Sequence, residues 1–213
     1  MQKLSLIILI TIFAVSCKYD GSKDLFNAGV KKMEASTDSV KQQINYKDAL
    51  NDFNKAIEIN PGYVNAYLNR AVVKNTLGDY NGFLQDCKKV SELDAQNKDL
   101  YVLLGRIKYF RHDYNGAIAA LNMAITVDAK SAVPFFIKAQ IEKDQKNNQA
   151  ALKDFDQTIN LTSSNDESLK YYYSGRGSLK LDLNDKNGAC ADFHKALELG
   201  NNNAQFEIDS FCK

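Results

Sequence analysis

Residues 79–82 read Asp79-Tyr80-Asn81-Gly82, and 34 positions later residues 113–116 read Asp113-Tyr114-Asn115-Gly116. Other columns of the chain keep the same step. Tyr67, Tyr101 and Phe135 are spaced by it, and so are Ala71, Gly105 and Ala139. Phe53, Cys87, Leu121 and Phe155 form a further column, and Ala56, Val90, Ala124 and Thr158 another. Independent columns in one register mark an internal repeat, whose units bury their apolar faces only by stacking on one another.

Inside a unit the apolar residues have helical spacing. Ala66, Tyr67, Val73 and Leu77 share one face of a first helix, and Phe83, Leu84, Cys87 and Val90 one face of a second. Gly78-Asp79 breaks the run between them, with Asp79 placed to cap the second helix. The small residues Ala71, Gly105 and Ala139 let neighbouring helices approach, and large ones such as Tyr67 and Tyr101 fill the remaining space. Pro61 falls just after a helix end and Pro134 just inside a helix start, where a missing N–H costs little.

Ala66-Tyr67-Leu68-Asn69-Arg70-Ala71, Leu77-Gly78-Asp79-Tyr80 and Ala56-Ile57-Glu58-Ile59-Asn60-Pro61 resemble the tetratricopeptide repeat (TPR) family. The resemblance implies an all-α fold, a right-handed superhelical solenoid of helix-turn-helix repeats with a C-terminal capping helix. Units are expected at about 24–61, 64–97, 98–131, 132–165 and 170–201, with a cap at 202–213. The first unit is long between Gly29 and Ala49, which places an extended first helix or an enlarged turn near residues 36–43. Four extra residues precede the last unit, since Thr158 to Ala196 is 38 rather than 34. Trp is absent, and Lys74, Lys108, Glu142 and Lys180 stand where the family usually has an aromatic.

By family register, the first helices line a concave face that takes a peptide or helix of a partner protein. Its lining would include Asn65, Leu68, Asn69 and Val72, then Val102, Arg106 and Tyr109. Phe136, Gln140 and Lys143 follow, and then Tyr171 and Ser174. Tyr109 and Phe136 have the alternative of packing between helices. The Lys/Asn/Arg clamp with which some family members hold a C-terminal carboxylate is not reproduced in spacing.

The N-terminus carries an address. Lys3 precedes an apolar run at residues 4–15, LSLIILITIFAV. That is short of the roughly 20 residues needed to span a bilayer and suits a signal peptide of residues 1–16. Ala14-Val15-Ser16-Cys17 resembles a bacterial lipobox, with Ala14 where Leu is usual. The resemblance implies that Cys17 is lipidated, with chains such as palmitate, and anchors the protein in the bacterial cell envelope, at the outer membrane. Plain secretion after Ser16 is the alternative. Residues 17–23 make a polar tether too short to carry the fold far from the bilayer.

Composition narrows the function. The 213 residues carry 27 Lys+Arg against 26 Asp+Glu. Without residues 1–16 the balance is 26 against 26, which offers no bulk field to hold nucleic acid. Cys87 falls in a core column. Cys190 and Cys212 are equidistant from residue 201 in the turn before the cap, so an antiparallel hairpin would face them. In an oxidising compartment they form a disulfide; two separate thiols are the alternative.

Catalytic constellations are missing. His112 and His194 are the only histidines and make no zinc motif. Gly175-Arg176-Gly177 lacks the third glycine and preceding strand of a dinucleotide loop. Asp113-Tyr114-Asn115-Gly116 starts like a calcium loop, but its recurrence marks it as turn chemistry. The expectation is a non-enzymatic, envelope-anchored scaffold or assembly factor with a protein partner, and without metal, cofactor or small-molecule substrate. The alternative is a glycan-binding envelope lipoprotein using Tyr171, Tyr172 and Tyr173.

Overall fold

The computed structural model describes residues 20–35 and 39–212. Cys17 and residues 1–16, on which the signal and lipid-anchor expectations fall, lie outside the described residues. Among the described residues there are eleven α-helices and no strand. None of these helices is long and apolar enough to cross a membrane. The chain divides into two compact units, up to Tyr80 and from Asn81 onward.

The first unit holds α1 (Ser22–Glu34), α2 (Ser39–Ile59) and α3 (Val64–Thr76). The extra length of this first repeat is carried by α2, a 21-residue helix, whereas α1 has 13 residues. The reason lies in sequence: no Gly or Pro interrupts residues 39–59, so helix propagates from Ser39 into the repeat proper. Ala49, Phe53 and Val73 form the core, with Phe26, Val30 and Leu77 packed on it. Gly29 makes room for Phe53: an added Cβ would fall 2.7 Å from its ring.

The second unit holds α4 (Tyr80–Leu93), α5 (Lys98–Phe110), α6 (Tyr114–Val127), α7 (Ala132–Asp144), α8 (Asn148–Leu161), α9 (Leu169–Asp182), α10 (Lys186–Glu198) and α11 (Ala204–Phe211). Helices α5 and α6, α7 and α8, and α9 and α10 pack as antiparallel hairpins, and α6 meets α7 as α8 meets α9. The four added residues lie in the α8–α9 connection. Cores follow the repeat columns: Ala117 and Leu121 with Ile137 and Ile141, then Ala139, Ala151 and Phe155 with Leu179, then Ala189, Phe193 and Ala196 with Ala204.

The turns account for the repeated Asp-Tyr-Asn-Gly. Asp113 caps α6 by accepting from the backbone N–H of Gly116 at 2.9 Å, and Asp185 caps α10 from Gly188 at the same distance. A Cβ on Gly116 would crowd the capping Asp113 carboxylate; in α8, where Ala150 stands three residues after Asn147, the side-chain cap bond is absent. Lys108, 2.7 Å from Asp113, and the Gly116 N–H hold that carboxyl below its usual range. The residue just before each cap turns left-handed to end the preceding helix: Gly78, His112, Lys146 and Asn184 all have φ between 61° and 88°.

Buried ion pairs recur inside the hairpins with a spacing of 16 residues. Lys138 lies 3.0 Å from Asp154, and Arg176 grips Asp192 through two hydrogen bonds of 2.8 and 2.7 Å. Lys180 adds a third contact to Asp192 at 2.8 Å. Asp154 and Asp192 are buried, and these cations replace the water that each carboxylate gives up.

Candidate functional site

The first helices of three successive hairpins, α5, α7 and α9, line a groove of about 1020 Å³ in the second unit. Its floor is aromatic. Phe136 and Tyr172 pack with ring centroids 4.7 Å apart, and Phe136 meets Phe155 edge-on at 6.0 Å. Gly175 brings Phe155 to the floor, because a Cβ there would lie 2.8 Å from its ring. Gly177 does the same for Phe193 on the far side of α9, so both glycines of Gly175-Arg176-Gly177 serve helix packing.

One edge of the groove is closed by polar straps between successive first helices. The Tyr109 hydroxyl donates to Asp144 at 2.7 Å. In the next repeat Lys143 donates to Ser178 at 2.8 Å and lies 3.5 Å from Asp182. Burial, reinforced by the Asp144 carboxylate, pushes the Tyr109 phenol up to about 12. Burial also raises the Tyr172 phenol, and the nearby Arg106 cation opposes that shift. Among the described residues Arg106 makes no hydrogen bond or ion pair, and it is exposed. Phe110, 70% exposed, and Tyr171, 56% exposed, stand at the rim, Phe110 stacked against Tyr109.

Of the residues expected to line a concave face, the structure brings Arg106, Tyr109, Phe136, Gln140, Lys143 and Tyr171 together in this groove. Val102 instead packs on the Ala117–Leu121 core. Ser174 points toward the cap, where its Oγ accepts from the buried Asn201 side chain at 2.7 Å. Asn65, Leu68, Asn69 and Val72 lie on α3 in the first unit. There Leu68 is buried, and the Asn69 amide donates to the Asn65 carbonyl of its own helix at 2.9 Å. The Val72 carbonyl accepts from Thr76 at 2.9 Å.

Phe110, Tyr172, Gly175 and Ser178 line the groove without having been expected there. Three of them, Phe110, Tyr172 and Gly175, each directly follow an expected residue. On α9 the groove stripe takes Tyr171, Gly175 and Ser178, the i, i+4, i+7 course that leaves Ser174 behind. The three consecutive tyrosines separate. Tyr171 faces the groove beside Lys170, whose ammonium is 5.3 Å from its ring centre. Tyr172 is buried in the floor, and Tyr173 packs on the α10–α11 core, with the Arg176 guanidinium 5.5 Å from its ring centre.

Cys190 and Cys212 are joined by a disulfide that ties the end of α11 to α10. Cys87 is a buried free thiol, and burial with Asp86 nearby pushes it up to about 12, far from a reactive thiolate. Among the described residues there is no group of three or more His, Cys, Asp or Glu able to hold a metal ion.

No family model and no curated protein matches the chain. Solved structures do. PilF of Pseudomonas aeruginosa superposes with a TM-score of 0.72 at 19% identity, covering 87% of this chain and 79% of its own. A thermophilic TPR protein of Thermus thermophilus gives 0.64 at 18% identity, covering 90% and 98%. YrrB, described as a TPR protein with an unusual peptide-binding site, gives 0.58 at 16% identity, covering 86% and 98%. At these identities the likeness is one of fold. The chain has the all-α helix-turn-helix solenoid architecture that its repeat columns imply, closed at the C-terminal end by α11.

Proposed function

We propose that this TPR-fold chain is a lipid-anchored scaffold of the bacterial envelope. It holds a peptide or helix of a partner protein in the α5–α7–α9 groove and acts without covalent chemistry. The observation that carries this reading is the groove itself, an open aromatic trough on consecutive first helices. At its rim Phe110 and Tyr171 stand exposed together, apolar surface that a bound segment would cover. The peptide-binding site named for YrrB, a structural neighbour, points the same way. The anchor rests on Ala14-Val15-Ser16-Cys17 and on the Cys190–Cys212 disulfide, a bond that persists in oxidising compartments outside the cytosol.

Crosslinking in the source cells followed by mass spectrometry tests the scaffold reading. A partner protein should be recovered with the wild-type chain and lost with Phe136→Ala combined with Arg106→Glu, the double variant remaining folded. Recovery that survives the double change would place the working face elsewhere. Cys17→Ala should release the protein from the membrane fraction; retention there would remove the lipid anchor.

A glycan ligand has one observation in its favour. Phe110 and Tyr171 offer exposed rings in the same groove as Gln140 and Asp144, a combination of stacking face and hydrogen-bonding groups. Soluble oligosaccharides that compete with the crosslinked partner would favour it.

A further inference from the structure

The groove has one unspent charge. Asp144 is taken by the Tyr109 hydroxyl, and Lys143 by Ser178 and Asp182. Arg106 has no partner of its own among the described residues, yet it stands on the same trough and close enough to Tyr172 to act on its phenol. We infer that the segment held in this groove carries a carboxylate that pairs with Arg106, beside a large apolar side chain seated on the Phe136 ring. This rests on the groove being the docking face and names the chemistry it selects.

Two arguments fix the class. A planar guanidinium pairs with a carboxylate through two parallel hydrogen bonds, and the pair strengthens where apolar walls exclude water. The neighbouring lining leaves Phe136 and Val133 part-exposed, with Phe110 and Tyr171 open at the rim, and these reward an aliphatic or aromatic residue next to that acid. A polyphosphate chain is a poor fit, because it needs a row of free cations and the second cation here, Lys143, is already engaged. The occupant is therefore an acidic, apolar peptide segment. Arg106 sets its charge preference, and Phe136 anchors it.

The test uses fluorescence anisotropy on the folded chain with labelled peptide pools made of Leu, Phe, Ser and Gly. One pool carries a single Glu, its twins a single Gln or Lys. The Glu pool should bind best. Arg106→Glu should weaken it about tenfold or more, which is about 1.4 kcal/mol, and should turn the preference toward the Lys pool. Phe136→Ala should weaken all pools alike. If the three pools bind equally while Phe136→Ala still abolishes binding, the groove stands and the carboxylate assignment falls. If no pool depends on Phe136, the docking face falls with it.

Discussion

Glu142 stands in a column where the other repeats carry Lys74, Lys108 and Lys180. The last two hairpins differ at this position. In the α9–α10 hairpin, Arg176 and Lys180 both reach the buried Asp192. In the α7–α8 hairpin, Lys138 alone reaches Asp154 Oδ2, at 3.0 Å, and the Glu142 carboxyl is buried beside that carboxylate with its Oε2 given no donor. Burial, and then the Asp154 charge, raise the Glu142 carboxyl pKa. A buried acceptor left without a donor costs about 1–3 kcal/mol. Glu142→Lys replaces the repulsion with the contact that Lys180 makes, so we expect it to stabilise the protein by about 1–2 kcal/mol. For a chain of this length that is about 2–8 °C in Tm. Glu142→Gln, which keeps the shape and adds a donor, should give a smaller gain.

The pH dependence has a definite sign. The folded chain holds the Glu142 proton more tightly than the unfolded chain does. The stability that this proton contributes is complete below the ordinary carboxylate range and lost as pH rises through the raised value. The advantage of Glu142→Gln over wild type should therefore grow from acid toward neutral pH. Urea denaturation followed by circular dichroism at several pH values reads both effects. A Glu142→Lys variant no more stable than wild type, or a Glu142→Gln advantage that is flat with pH, would refute the reasoning.

Three further outcomes follow from the packing. Gly105→Ala would bring a Cβ within 2.6 Å of Leu121 Cγ, and it should lower stability by about 1–3 kcal/mol, measurable as a drop in urea midpoint. Lys146→Gly relieves a left-handed residue, φ 63°, in an exposed turn and should raise stability by about 0.5–1 kcal/mol; a loss would mean that the turn tolerates Lys without strain. Reducing the Cys190–Cys212 bond, or replacing Cys212 by Ser, should cost about 3 kcal/mol in the chain-entropy model for a 22-residue separation, with faster amide exchange confined to α10 and α11.

What the sequence disclosed depended on whether a feature repeats. The hairpins, their left-handed turns at Gly78, His112 and Lys146, and the small-residue columns at Gly105 and Ala139 all recur, so each unit reports on the others. The groove is less regular. Sequence register put Tyr171 and Ser174 on it, whereas the α9 stripe runs through Tyr171, Gly175 and Ser178, and Ser174 is claimed by Asn201. Phe110 closes α5 and reads as core by type; only the packing shows it 70% exposed among the described residues. The Lys138–Asp154 and Arg176–Asp192 pairs share one spacing, but a spacing of charges does not disclose burial, and burial is what makes these pairs structural.

The most direct measurement of the central claim is site-specific photo-crosslinking in the source cells. A photoreactive residue replaces Phe110 at the groove rim, or Met123, which is 47% exposed on the second helix of the same hairpin. The account predicts one protein adduct from position 110, lost when Phe136→Ala is added, and no such adduct from position 123. An adduct from position 123 alone, or one from position 110 that survives Phe136→Ala, would contradict it.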